Sequence, residues 1–475
     1  MQPTPEARFC LFRSSNVLAA LLCSHLAWGA DVISIQHVSI IDATGSSVQS
    51  DRTVLISEGR ITWIGPPSRA RVPKDASLVN GRGKYLIPGL WDMHVHLRGG
   101  KELIPDNESW LSLFVANGIV GVREMGNDIA GTVFQWRREI NEGKRLGPLI
   151  LTAGPKIDVA RRGAWPGSLL ITDAESARAA VRQIKSMGAD FVKIYAPAYP
   201  PGILEALTAE ARQQGLQIGG HLPTDSSTVR ESIDAGVNFI EHFEPSVMLG
   251  CSTDEVGVRG EPPASQYLTL AQTYDEGRAR DLVARLARSG VWVTPTLAVM
   301  HQIVSYSSTG YQPDPRRKYI GDGIWRTWDR PRLPEDMVRA LEADFGVERK
   351  FLPVMQAGGV RLLAGSDSGA NNFFTYPGWT LHRELALMVE AGLTPMQALQ
   401  AATRNAAEFR GELEQSGTIE VGKRADLLLL SANPLDDIRN TEKIDTVVLR
   451  GKLLRRIDLD KLLADVANRT NVSKN

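Results

Sequence analysis

Cysteine is nearly missing from this chain: 475 residues contain three, Cys10, Cys23 and Cys251. Two of them lie in the first thirty residues, so removal of that segment would leave Cys251 alone. An intramolecular disulfide and a cysteine-held metal are then both excluded. Net charge is missing as well, with 54 Lys and Arg against 54 Asp and Glu. No field of one sign recommends nucleic acid or an anionic membrane as a partner. Beyond residue 30 there is no apolar run long enough to cross a bilayer. Internal repeats and low-complexity tracts are also wanting. The expected partner is therefore a small neutral or zwitterionic molecule, with homo-oligomerisation left open. What is present is core material: 43% hydrophobic and 23% charged residues describe a globular chain. Its length asks for one large domain and a smaller one.

Residues 1–30 differ from the rest. Arg8 and Arg13 precede a mostly apolar stretch over residues 17–28, and Ala27-Trp28-Gly29 offers small residues at signal-peptidase spacing. The segment is expected to be a secretory signal, which would make the protein periplasmic or secreted. The competing reading is a buried N-terminal helix or a retained anchor, since Cys10, Cys23 and His25 suit a signal poorly.

Residues 31–86 alternate in the β manner, as in Thr53-Val54-Leu55-Ile56 and Arg60-Ile61-Thr62-Trp63-Ile64, with turns at Gly45, Gly59 and Gly65. Residues 411–475 repeat the pattern in Ala425-Asp426-Leu427-Leu428-Leu429-Leu430 and Thr446-Val447-Val448-Leu449. A small β-sandwich domain assembled from both chain ends is expected. Between 87 and 410, short apolar runs alternate with helical stretches near 173–187, 202–214, 275–289, 335–357 and 379–407. Strands should end near His94, Arg123, Thr152, Tyr195, His221, His242, Thr296 and Asp367. Eight βα units imply an α/β fold, a (β/α)8 TIM barrel with reactive groups at the C-terminal ends of its strands. Segments 243–274 and 298–334 read as long loops over its mouth.

The most informative residues are His94 and His96, in Trp91-Asp92-Met93-His94-Val95-His96. Residues i and i+2 of a strand face the same way, so both imidazoles can reach one cation. Lys193, His221, His242 and Asp367 end four further expected strands, and imidazole with carboxylate suits zinc and similar divalent ions. A lysine at a buried strand end is costly as an ammonium. Either it forms a salt bridge, as to Asp190, or its amine has taken up carbon dioxide and become a carboxylate.

The order His-x-His, Lys, His, His, Asp resembles the amidohydrolase superfamily. So do Gly417-Thr418-Ile419-Glu420-Val421-Gly422-Lys423-Arg424-Ala425-Asp426-Leu427 and Ala391-Gly392-Leu393-Thr394-Pro395 with Ala398-Leu399 and Ala401-Ala402-Thr403. The likeness runs over residues 32–455, nearest the branch related to imidazolonepropionases and Xaa-Pro-type dipeptidases. It implies two divalent ions, zinc above all. His94, His96 and Asp367 would hold one and His221 and His242 the other, with N6-carboxylysine at Lys193 and a hydroxide bridging them. Glu124 departs from the aspartate often found there. Asp367 would act as general base and then acid. Tyr195, two residues past Lys193, would hydrogen-bond a substrate carbonyl or carboxylate, or else pack as an aromatic. Arg123 would meet a substrate carboxylate or, as the plainer reading, pair with Glu124 or Asp128. His382 is expected to be structural. The function so implied is hydrolysis of C–N bonds in dipeptides or N-acyl amino acids. The alternatives are cyclic amides, lactones or phosphotriesters at the same site, and an inactive binding barrel.

Overall fold

The structure is a computed structural model and describes residues 32–224, 228–243, 245–254, 258 and 261–472. The expected leader lies outside the described residues. No described helix is long and apolar enough to cross a membrane.

The fold is α/β, with two parallel sheets and a separate mixed one. A seven-stranded parallel sheet runs in the order Leu169–Ile171, Ile157–Val159, Phe191–Ile194, Gln217–Gly220, Phe239–Glu241, Trp292–Thr294, Arg361–Leu362. A four-stranded parallel sheet runs Ser368–Gly369, Leu90–His96, Ile119–Glu124, Leu149–Thr152. Backbone bonds join the two in two places: Asp190 N–H donates to Thr152 O at 2.9 Å and Met93 N–H to Ala364 O at 2.9 Å. These strands read as continuous apolar runs because both faces are covered; all seven residues of Leu90–His96 are buried. At one crossing the backbones approach so closely that only glycine fits. A Cβ on Gly219 would lie 2.0 Å from the Phe239 carbonyl oxygen.

The helices between strands follow from local signals. Asp173 caps Ala174–Ser186 through the Ser176 N–H, and Ala177, Ala180, Val181 and Ile184 form its buried stripe. Asp275 caps Glu276–Ser289, which Gly290 ends in the left-handed conformation. Glu335–Ala357 matches its expected bounds. Elsewhere the expectations need correction. The stretch 379–407 is three helices, Trp379–Glu390, Pro395–Ala401 and Arg404–Phe409, because Thr394 caps a new start with Pro395 in its first turn. The supposed mouth loops hold helices too: Pro245–Leu249 and Pro263–Gln272 in one, Leu297–Thr309 and Asp322–Trp328 in the other.

The mixed sheet has eight strands drawn from both chain ends, with Tyr85–Pro88 antiparallel to Leu427–Leu430 at the junction. The two leaves expected of a sandwich are thus one continuously hydrogen-bonded sheet. Ile35, Val54, Ile61, Leu86, Leu427 and Val448 share a core apart from the large one. Residues 411–475 are not all β: Arg456–Val472 is a helix whose Leu459 and Val466 join the large core.

Candidate metal centre and active site

The strand Leu90–His96 places His94 and His96 on one face, as i and i+2 require. Their Nε2 atoms are 3.3 Å apart. Asp367 lies beyond the short strand Arg361–Leu362, and its N–H donates to His94 O at 2.8 Å. That bond brings Asp367 Oδ1 to 3.5 Å from His94 Nε2 and 3.4 Å from His96 Nε2. Across the site, the His94 and His242 ring centroids are 4.8 Å apart, and those of His242 and His221 4.6 Å. Lys193 Nζ lies 3.0 Å from His221 Nδ1. The Tyr195 ring is 4.4 Å from the His221 ring. The six expected ligands and Tyr195 therefore line one connected cluster. One ligand atom each from His94, His242 and Asp367 falls within a 4.8 Å sphere of separations.

Backbone strain marks the same place. His242, Thr296 and Asp367 have φ of 64°, 52° and 52°, a region that non-glycine residues seldom occupy. His242 and Thr296 follow the strands Phe239–Glu241 and Trp292–Thr294, and Asp367 directly precedes the strand Ser368–Gly369.

Residues 85–454 match the model of the amidohydrolase family. The chain belongs to that family. It is accordingly a hydrolytic enzyme, and its similarities to known proteins agree with this in fold and sequence. The ochratoxinase of Aspergillus niger is 23% identical over 81% of this chain and 78% of that protein. The solved structure of a Xaa-Pro dipeptidase with methionine in its active site has a TM-score of 0.67 at 21% identity, covering 89% of this chain and 100% of that one. Bottromycin amidohydrolase has a TM-score of 0.71 at 20% identity, covering 94% and 92%. The last two likenesses are of fold.

Members of this family typically bind metal ions, and the donor chemistry of this amidohydrolase fits such ions. His94 Nδ1 donates to Glu241 Oε2 at 2.7 Å, and His96 Nδ1 donates to Gly126 O at 3.0 Å. With both Nδ1 atoms carrying the hydrogen, both Nε2 atoms present lone pairs. Burial, and then Lys193 for His94 and Arg98 for His96, push both imidazoles well below their ordinary pKa, so they are neutral. Two lone pairs and a carboxylate oxygen thus meet with no donor between them, an arrangement that a cation relieves. Burial lifts Asp367 to about 6, against the pull of Arg98 and Lys193.

Several supporting residues escaped the sequence reading. Glu241, fully buried, takes His94 on one oxygen and Arg123 Nη2 on the other at 2.6 Å. Arg123 is therefore not a mouth residue. Its partner is Glu241 rather than Glu124 or Asp128, and it also donates to Met93 O at 2.6 Å and Thr294 Oγ1 at 2.9 Å. Asp92 accepts from the N–H groups of Ser366 (2.9 Å) and His94 (3.3 Å) and from Ser366 Oγ (2.5 Å), tying the Asp367 segment to the His strand. Burial raises it to about 7. Glu124 accepts from Asn127 and Thr152, each at 2.6 Å, and stays out of the cluster. His242 Nδ1 meets Thr296 Oγ1 at 2.5 Å. The only signal that could have found Glu241 was its place directly before His242. His382 bridges Thr441 Oγ1 (2.9 Å) and Asn117 O (3.0 Å), a structural tie remote from the cluster.

Proposed function

We propose that this amidohydrolase cleaves the amide bond of small substrates such as dipeptides or N-acyl amino acids, with two divalent cations as cofactors. Zinc is the ion that imidazole and carboxylate donors suit. The observation that carries the reading is the meeting of His94 Nε2, His96 Nε2 and Asp367 Oδ1 within 3.3–3.5 Å without a hydrogen between them. The two backbone seams between the parallel sheets support closure into a (β/α)8 barrel over residues 87–410, whose C-terminal strand ends carry the site. In this reading His94, His96 and Asp367 hold one cation and His221 and His242 the other. Lys193, fully buried at a strand end, serves both as N6-carboxylysine, which replaces a costly buried ammonium with a ligand.

Cations bound there would supply Lewis acidity, making water nucleophilic near neutral pH and polarising a carbonyl. The side chains do the rest. Asp367 Oδ1, held by Asn372 Nδ2 at 2.7 Å, takes a proton from the attacking water and delivers it to the departing nitrogen. Tyr195 Oη hydrogen-bonds the substrate carbonyl or carboxylate. A cavity of about 250 Å³ opens on His221, His242 and Asp367 and is walled by Phe243, Val299 and Met300, which favours an apolar acyl group. The leader-like segment at residues 1–30 supports a periplasmic or secreted location.

The test joins elemental analysis of gently purified protein to a screen of dipeptides and N-acyl amino acids with zinc and bicarbonate present. About two ions per chain and release of a free amino acid are expected. Less than about one ion per chain would refute the metal centre. Silence on amides with turnover of lactones or phosphotriesters would refute the substrate class.

A further inference from the structure

On the other side of Asn371 from the apolar cavity lies a second one of about 350 Å³, lined by Arg98, Asn127, Lys156, Trp165 and Thr327 among others. Two of its walls are cations. Lys156 and Arg98 are only 4% and 5% exposed. Such residues are almost never this deeply buried without a partner of opposite charge. Yet neither forms an ion pair with a described carboxylate.

Arg98 spends Nε on Ala370 O at 3.0 Å and one Nη on Asn372 Oδ1 at 3.1 Å. Lys156 Nζ lies 4.2 Å from the Trp165 centroid and 5.2 Å from that of Tyr195, and the carboxylates of Glu124 and Asp367 act on it through space without pairing. Arg98 lies 4.4 Å from the same Trp165 ring. The lysine stem is fitted into place across Gly126, where φ is 105° and a Cβ would come within 2.3 Å of Lys156 Cγ. Burial and then the charge of Arg98 push the Lys156 ammonium well below its ordinary pKa. Asp128, also in the cavity wall, spends its carboxylate on the backbone N–H groups of Gly99 and Gly100, both at 3.0 Å, so the site sets two cations against one engaged carboxylate and is short of a negative charge.

Its position says which molecule would bring one. Gly126, in the cavity wall, is the residue whose carbonyl holds His96. Asn372 joins Arg98 to Asp367, accepting from the first and donating to the second. A ligand in this cavity is therefore one side chain away from the metal-site carboxylate.

We infer that Lys156 and Arg98 form a subsite for the free carboxylate of the substrate, with the Trp165 ring as its apolar wall. The acyl portion occupies the opposite cavity, and the amide bond lies between them at the His94–Asp367 cluster. This rests on the amide-hydrolase reading and deepens it by naming the residues that would recognise the free carboxylate of a dipeptide or N-acyl amino acid. Lys156 and Arg98 are specificity residues in this arrangement, and Asn372 couples occupancy of the subsite to the orientation of Asp367.

The experiment compares N-acetyl-leucine, N-acetyl-phenylalanine and N-acetyl-methionine with their C-terminal amides on the metal-loaded protein. Binding is measured by titration calorimetry, and hydrolysis of the N-acetyl bond alongside it. At least one acid should bind on the order of ten- to hundredfold tighter than its amide, the range of one or two charge-assisted hydrogen bonds. Lys156→Met, which keeps the stem over Trp165, should bring the acid down to the affinity of the amide. Equal affinity of every acid and its amide for the wild-type protein overturns the inference, and needs no variant. Hydrolysis of acids and amides alike would overturn it while leaving the amide-hydrolase reading intact. Tight, Lys156-dependent binding of acids with no amide ever cleaved would overturn that reading and keep the subsite. Neither binding nor cleavage would overturn both.

Discussion

Glu241→Gln tests most directly how this site is held. Glu241 and Arg123 are both fully buried and pair at 2.6 Å, while the second Glu241 oxygen receives His94 Nδ1 at 2.7 Å. Glutamine has one acceptor for these two donors. Its amide nitrogen must face either the guanidinium or the imidazole N–H, so one of them loses its partner. The Arg123 guanidinium has Phe239 at 5.0 Å and Phe409 at 4.8 Å and cannot reach water. Breaking such a buried pair from one side costs about 3–5 kcal/mol. An unfolding entropy of roughly 2.1 cal/mol/K per residue sums to about 1 kcal/mol/K over 475 residues, so Tm should fall by about 3–5 °C. Calorimetry on chelator-treated protein isolates this loss from metal binding. Metal affinity should fall separately, by about ten- to hundredfold, because His94 is no longer oriented. The double variant Arg123→Met/Glu241→Gln then separates the two effects. With the stranded charge gone and Met packed between the phenyl rings, Tm should recover to within about 1–2 °C of wild type, while metal affinity stays low. A chelated single variant that melts with the wild type, or a double variant no more stable than the single, would refute this account.

Three further outcomes follow from the same geometry. Asp367→Asn should reduce turnover by about a hundredfold or more, from loss of the proton carrier; steady-state kinetics within a few-fold of wild type would remove that role. Glu384 is lifted by burial from 4.5 to about 8, so it binds its proton more tightly folded than unfolded. Its contribution to stability is full below about 4.5 and is lost as pH rises toward 8. Between pH 5 and 8, urea melts of the chelated protein should therefore lose more stability for wild type than for Glu384→Gln, and superimposable profiles would contradict this. His382→Ala removes the tie between Asn117 O and Thr441 Oγ1, and should cost about 2–4 kcal/mol without changing the metal content. A loss of bound metal in that variant would place His382 in the site after all.

The alternation of apolar runs with capped helices was legible because it is local. Asp173 and Asp275 announce helix starts through their own neighbours, and His94 and His96 face one way because a strand has period two. The ligand-type residues at strand ends were legible for the same reason, each lying just past its own apolar run. The long segments between strands were misjudged where short amphipathic helices hide among Gly, Pro and aromatics. The C-terminal helix was missed because its buried Leu459 and Val466 mean little without the neighbour that covers them. The partners of buried charges were not legible either. Arg123 and Glu241 stand 118 positions apart, and Arg98 and Lys156 belong to different βα units joined only by the fold. The chain by itself determined which elements form and which donors end them, since capping and periodicity act over a few residues. Tertiary structure alone decided which charge meets which, because electrostatic partnership depends on distance through space and on exclusion of water, and neither is written in sequence separation.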